Sequence, residues 1–273
     1  GQYVGDKPFQ TQSGWIEKFR PLLNDAVACL APSKACRTLH EAHFPAANIV
    51  TQYHEDGQYL QHANFKVAGI KTDSKPLKVA VIGALSKIKG ADLLEQAAQL
   101  CAKQGIEIEF ELIGYGYRSL LKKPHANLTV TGRYHEHELV DSLRQRHADG
   151  ELDFVWFTAL WPETYSYTLS AVIAAELPVL APDIGAFPER LFGRSQSWIY
   201  PWQSSAEQVV ALMSMIARAD EHTESLAEHI SQIEPDSQTM VYQEEYLQTL
   251  RQQHPTVISQ ALDESELLRW LSQ

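Results

Sequence analysis

Between residues 152 and 182 the chain alternates an apolar run, a tight polar turn, a second apolar run and a third. Leu152-Asp153-Phe154-Val155-Trp156-Phe157-Thr158-Ala159 reads as a buried strand. Residues 169–177 read as an apolar helix, and Pro178-Val179-Leu180-Ala181-Pro182 reads as the next strand. Strand, turn, helix and strand at this spacing make a parallel βαβ unit. The turn then lies at the carboxyl end of the sheet, where open α/β sheets bind their ligands. Its residues, Trp161-Pro162-Glu163-Thr164-Tyr165-Ser166, bring a carboxylate, hydroxyls and the start of a helix. A helix start favours a phosphate, and a carboxylate beside it suits sugar hydroxyls.

The same alternation extends in both directions. Strands are expected at 77–82, 106–113, 128–131 and 197–200, with helices at 90–104 and 135–147. Leu93, Leu94, Ala97, Leu100 and Cys101 recur at helical spacing, as do Leu139, Val140 and Leu143. A helix at 204–219 opens on Ser204 with Glu207 three residues on, the pattern of a capping box. Before the 68–76 linker, which Gly69 and Pro76 punctuate, come a helix at 14–24, a strand at 26–31, a helix at 33–43 and a strand at 48–54. Residues 238–272 read as helical. The fold class that follows is α/β: a Rossmann-like doubly wound parallel sheet, a partial α/β segment before it and a helical tail after it.

Composition narrows the function. A hydrophobic fraction of 44% over 273 residues supports cores for about two domains. The net charge of −11 argues against a sequence-independent grip on nucleic acid. Cys29, Cys36 and Cys101 read as core thiols of a reducing compartment. There is no apolar run long enough for a membrane span.

Three more turns carry candidate chemistry. Gly83-Ala84-Leu85-Ser86-Lys87-Ile88-Lys89-Gly90 follows the 77–82 strand. Its glycine would let a ligand approach backbone and Lys89 could neutralise a diphosphate, or the segment is a solvated turn with a capping glycine. Gly114-Tyr115-Gly116 follows the next strand. The third glycine of a dinucleotide fingerprint would fall at Ser119, which argues against a nicotinamide site. Thr131-Gly132-Arg133-Tyr134 follows the third strand; Arg133 and Tyr134 either stack on a base or form a surface pair. His40 with His43, and His135 with His137, have no cysteine or carboxylate at clear ligand spacing, so no metal site is expected. His54-Glu55-Asp56 ends a strand and either caps it at the surface, the reading preferred here, or faces the cleft.

Pro162-Glu163-Thr164-Tyr165-Ser166, Glu176-Leu177-Pro178-Val179 and Asp183-Ile184-Gly185-Ala186-Phe187-Pro188-Glu189-Arg190 together resemble the donor-site region of the retaining family-4 glycosyltransferases. Those enzymes have the GT-B fold, two Rossmann-like domains facing across a cleft. The resemblance implies that residues 77–235 bind a nucleotide sugar and that residues 1–67 are the end of a truncated acceptor-side domain, with 236–273 as C-terminal helices. It implies Glu163 and Lys89 as the catalytic residues, Glu163 on the donor sugar and Lys89 on the diphosphate. Gly83, Ala84, Gly114, Arg133, Tyr134, Thr164, Tyr165 and Ser166 would surround the donor. It further implies a hexosyl-type transfer without metal or cofactor, a glycan or lipid-linked acceptor held by the missing N-terminal part, and a place in polysaccharide biosynthesis. The location would be cytoplasmic, at most peripheral at the inner membrane face.

Three positions depart from the family pattern. Ala84 stands where an arginine is usual, Ala171 where a second glutamate holds the ribose, and Glu176 where a glycine is usual. Losing a charge-assisted ribose contact costs on the order of 1.5–3 kcal/mol. These departures leave a second reading, a degenerate domain that binds weakly or serves as a structural or partner module.

Overall fold

The computed structural model describes residues 12–54, 76–116 and 126–217. In chain order the elements are α1 (Gln12–Asp25), β1 (Cys29–Ala31), α2 (Lys34–His43), β2 (Ile49–Thr51), β3 (Leu77–Leu85), α3 (Ala91–Gln104), β4 (Ile108–Gly116), β5 (Leu128–Val130), α4 (Glu136–Ala148), β6 (Phe154–Trp156), α5 (Tyr167–Ala174), β7 (Val179–Pro182), α6 (Phe187–Leu191), β8 (Ser197–Tyr200) and α7 (Ala206–Ile216).

Six strands form one parallel sheet in the order β5-β4-β3-β6-β7-β8. This is the doubly wound order of the dinucleotide-binding folds, and the expected fold class holds. Period-2 alternation along the strands divides the core. Val79 and Val81 pack with α3 and α7 on one face, whereas Ala80 and Ile82 pack with α4, α5 and α6 on the other. Burial on both faces explains why the strands read as continuous apolar runs.

The sheet changes winding direction between β3 and β6, its two central strands. The carboxyl ends of these strands therefore diverge into opposite helical layers and leave a crevice.

The first segment is smaller. β1 and β2 pair in parallel, Cys29 with Ile49 through Ala31 with Thr51, and α2 crosses between them. Ser33 caps α2, its hydroxyl accepting from the Cys36 N–H at 3.0 Å. The first two N–H groups of α2 donate to a carboxylate far along the chain: Lys34 to Glu189 Oε1 at 3.0 Å and Ala35 to Glu189 Oε2 at 3.2 Å. A carboxylate at a helix N-terminus satisfies donors that have no partner within the helix. Burial nevertheless raises the Glu189 pKa, against the two backbone hydrogen bonds and the positive charges of Lys34 and Arg190.

Several boundaries differ from expectation. The 26–31 and 48–54 strands shorten to three residues each, because only there do the two segments pair in register. The 152–159 strand pairs only over Phe154–Trp156, although its flanks stay buried. The helix α5 begins at Tyr167, two residues before the apolar run. The capping box of α7 is one residue later than expected, Ser205 with Gln208. The short helix α6 has no counterpart among the expected elements, because five residues with Pro188 in them carry too little periodicity to show. The 238–272 helices lie outside the described residues. Cys36 and Cys101 are buried and Cys29 half-buried, all with free thiols.

Candidate functional site

A cavity of about 270 Å³ opens at the crevice between the ends of β3 and β6. Lys89, Glu163, Thr164, Tyr165 and Ser166 all line it. Five of the predicted site residues thus meet in one place.

The turn after β3 is held against the turn after β6. Thr158 Oγ1 donates to the Lys89 carbonyl at 2.6 Å, and the Leu160 N–H donates to the Ile88 carbonyl at 2.9 Å. Gly90, at φ 82°, makes this fit possible: a Cβ there would lie 1.9 Å from the Thr158 carbonyl oxygen. The stitching brings Lys89 Nζ to 3.5 Å from Glu163 Oε1. Half of the lysine side chain is exposed and a fifth of the glutamate's, so the pair faces the opening.

Glu163 is fixed through its backbone. Its carbonyl accepts from the Ala186 N–H at 2.9 Å, where the turn before α6 presses on it. A Cβ on Gly185 would lie 2.4 Å from the Glu163 carbonyl oxygen and 2.5 Å from its nitrogen. The N-cap of α5 is Ser166, whose hydroxyl accepts from the Leu169 N–H at 3.4 Å, so Glu163 is not consumed in capping. Ser166 holds φ 73°, a left-handed conformation unusual for a residue with a side chain.

Arg190 sustains that conformation. It is 3% exposed, and its Nη1 donates to the carbonyls of Tyr165 at 2.9 Å and Ser166 at 2.8 Å. Its Nη2 donates to Ser170 Oγ at 2.8 Å. In the sequence Arg190 stands only within a motif, and an arginine in a five-residue helix carries no local signal of this role.

His54 corrects the preferred reading of a surface cap: it lines the cavity, the cleft-facing alternative. Its ring meets Tyr165 edge-on at 4.6 Å between centroids and stacks on Tyr167 at 5.2 Å. The residues that receive it lie more than a hundred positions away, beyond the reach of local pattern.

The remaining predicted residues do not line this cavity. Gly83 and Gly114 are register partners at the ends of β3 and β4. Gly114 lacks a Cβ because one would lie 2.1 Å from the Gly83 carbonyl oxygen, so strand-to-strand contact explains it. Ala84 is exposed. Arg133 stands 5.8 Å over the Tyr115 ring, beyond β4, and Tyr134 packs half-buried on the α4–α5 core. Burial, with Glu136 and Tyr115 adding to it, raises the Tyr134 pKa. All five belong to the same carboxyl edge: Gly83 and Ala84 on β3 itself, Gly114 one strand away on β4, and Arg133 and Tyr134 beyond β5, two strands away. Among the described residues no group of three His, Cys, Asp or Glu could hold a metal ion, and no helix is long and apolar enough to cross a membrane.

No family model matches the chain, and no curated protein matches it in sequence. Solved structures do match in fold. Sucrose-phosphate synthase from Thermosynechococcus elongatus superposes over 79% of this chain and 55% of its own, at 14% identity and a TM-score of 0.56. HepE from Anabaena, in complex with UDP-glucose, covers 76% and 59% at 15% identity and a TM-score of 0.54. The pneumococcal O-GlcNAc transferase GtfA, in complex with UDP and GlcNAc, covers 78% and 42% at 15% identity and a TM-score of 0.53. The neighbours are GT-B glycosyltransferases, and their architecture is the one this parallel sheet shares. The chain spans between 42% and 59% of the length of these three proteins.

Proposed function

We propose that this chain is the nucleotide-sugar-binding part of a retaining, family-4-like glycosyltransferase. The observation that carries the reading is the Lys89–Glu163 pair, 3.5 Å apart at the switch point of the sheet and beside the start of α5. One positive charge and a helix N-terminus suit a leaving diphosphate, and the carboxylate suits the hydroxyls of the sugar it leaves. Structures of proteins with this fold in complex with UDP-glucose, and with UDP and GlcNAc, support the choice of ligand class.

In the proposed reaction the bond from the sugar's anomeric carbon to the diphosphate breaks. The acceptor oxygen bonds to that carbon on the same face, and its proton passes to the departing phosphate oxygen. Glu163 orients the sugar, while Lys89 and the first turn of α5 stabilise the charge that develops. This scheme needs neither metal nor cofactor. The transferred unit is proposed to be a hexosyl group, and the acceptor a glycan or lipid-linked hydroxyl bound outside this chain. Accordingly the chain alone is expected to bind donor without transferring it. A role in polysaccharide biosynthesis at the cytoplasmic face of a membrane belongs to the same proposal.

A second reading rests on the departures at Ala84, Ala171 and Glu176. Ala84 brings no charge to the edge of the crevice and Ala171 brings no carboxylate to α5. A domain lacking both would be a degenerate, catalytically inactive binding or partner module.

Thermal unfolding with UDP-, GDP-, ADP- and dTDP-sugars separates the two. A ligand at a hundred times its dissociation constant adds about 2.7 kcal/mol of stability. A shift with one nucleotide, lost in Glu163→Ala, supports the transferase reading; no shift with any supports the second.

A further inference from the structure

We propose that His54, in its protonated form, is a second phosphate-binding cation of the crevice, acting with Lys89 on the donor diphosphate; this rests on the donor-site reading above.

The argument begins with charge. The diphosphate of a nucleotide sugar is a double diester and carries two negative charges. Against it the cavity sets Lys89, whose charge Glu163 offsets from 3.5 Å away, and the start of α5, equivalent to about half a positive charge. Ala84, near the end of β3, adds none. The lining therefore falls short of neutralising its proposed ligand unless another side chain contributes. Of the lining residues only His54 is a further base.

His54 is also held where such a base is useful. The segment after β2 is tied down by the Gln52 N–H, which donates to the Ala31 carbonyl at 2.7 Å, and by Tyr53, which is 5% exposed. The whole first segment is anchored through the Glu189 clamp on α2. The imidazole is then fixed between the Tyr165 edge and the Tyr167 face, at the mouth of the turn where α5 begins. Aromatic faces stabilise a cation, so the stack with Tyr167 favours the imidazolium. Within the cavity Glu163 favours it and Lys89 opposes it. Behind Tyr165, Arg190 opposes it and Glu189 favours it. A bound diphosphate would add the decisive negative charge. An ordinary histidine changes charge near pH 6.5, so this contact makes donor affinity depend on pH across the neutral range.

The experiment is calorimetric titration of the full chain with UDP-glucose, GDP-mannose, ADP-glucose and dTDP-glucose. None of these ligands titrates in this range, so a pH dependence belongs to the protein. The expected result is that the sugar nucleotide that binds loses about tenfold in affinity from about pH 5.5 to about pH 8. His54→Asn should bind about tenfold more weakly at the lower pH and show no slope. His54→Arg, a permanent planar cation that can stack on the same ring, should bind equally well at both pH values. Thermal unfolding checks that each variant is folded; if His54→Asn is not, His54→Arg alone decides, because a merely structural histidine would leave the slope in place. A flat wild-type profile, or a slope that persists in either variant, overturns the role of His54 while the donor-site reading stands. Failure of every sugar nucleotide to bind wild type at any pH overturns that reading itself, and this inference with it.

Discussion

The guanidinium of Arg190 lies 3.9 Å from the centre of the Tyr165 ring while Nη1 grips the carbonyls of Tyr165 and Ser166. One side chain thus fixes both the aromatic wall of the crevice and the left-handed residue that starts α5. The Ser170 hydroxyl, one turn further along, takes Nη2. The polar turn that dominates the sequence is therefore not self-sufficient. Its shape is imposed by a residue that follows it by more than twenty positions.

Replacing Arg190 should consequently damage both stability and site. Arg190→Ala leaves two carbonyls and a hydroxyl without their donor and removes a stacked cation, a loss of about 2–4 kcal/mol. Arg190→Lys keeps a charge but cannot reproduce the planar fork, so it should recover less than half of that loss. Urea unfolding measures the stabilities. Sugar-nucleotide affinity should fall in both variants even where they remain folded.

Glu176 occupies the left-handed position that closes α5, at φ 59°. The Glu176 N–H donates to the Ile173 carbonyl at 3.0 Å and the Leu177 N–H to the Val172 carbonyl at 3.2 Å, the paired bonds of a Schellman motif. Glycine adopts this conformation without the clash that a Cβ brings. The side chain is exposed, so its removal sacrifices little packing. Glu176→Gly is expected to stabilise the protein by about 1 kcal/mol, read from the urea midpoint at unchanged slope.

The fold was legible because parallel strands write themselves as unbroken apolar runs and the helices as 3.6-residue periods. Leu93, Leu94, Ala97 and Cys101, which fix one helical layer, are all among the buried residues. Lys89, Glu163, Thr164, Tyr165 and Ser166 were legible for a related reason: strand ends in such a sheet converge on one crevice. What local pattern could not carry was contact between distant segments. His54 and Arg190 reach the site from elsewhere in the chain, and the Glu189 clamp spans 155 positions. The local pattern at Gly114 likewise does not show its close approach to Gly83 on the neighbouring strand. Ser204 and Glu207 matched a capping box that Ser205 and Gln208 form, since a one-residue slip leaves the local pattern nearly unchanged.

The Glu189 clamp should leave a signature in pH. Burial raises its folded-state pKa above the unfolded value. The folded protein then holds the proton more tightly than the unfolded one, and stability falls as pH rises through the window between the two pKa values. The contribution is fully present below the unfolded value, near 4.3–4.5 for a glutamate, and lost above the folded one. Glu189→Gln removes the titration while keeping one acceptor for the α2 N–H groups. The stability of wild type relative to this variant should decline from pH 4 to pH 7 in urea unfolding at about half-unit steps. An increase over that range would mean that the backbone donors of Lys34 and Ala35 outweigh burial.

Gly185 gives a direct handle on Glu163. Its φ of 63° already disfavours a side chain, and an added methyl would press on the Glu163 backbone rather than on a flexible tip. Gly185→Ala must therefore move the carboxylate-bearing turn or the start of α6, and the Ala186-to-Glu163 hydrogen bond ties the two movements together. The expected cost is about 1–3 kcal/mol of stability. The larger effect should fall on function, because a displacement of about 1 Å at a positioning carboxylate costs on the order of a hundredfold in rate. Donor hydrolysis should drop further in Gly185→Ala than its loss of stability explains. Nucleotide binding without the sugar should be nearly retained, since Lys89 hangs from the other turn and keeps its bond through Thr158. Equal losses for the nucleotide and for its sugar conjugate would show that Glu163 does not address the sugar.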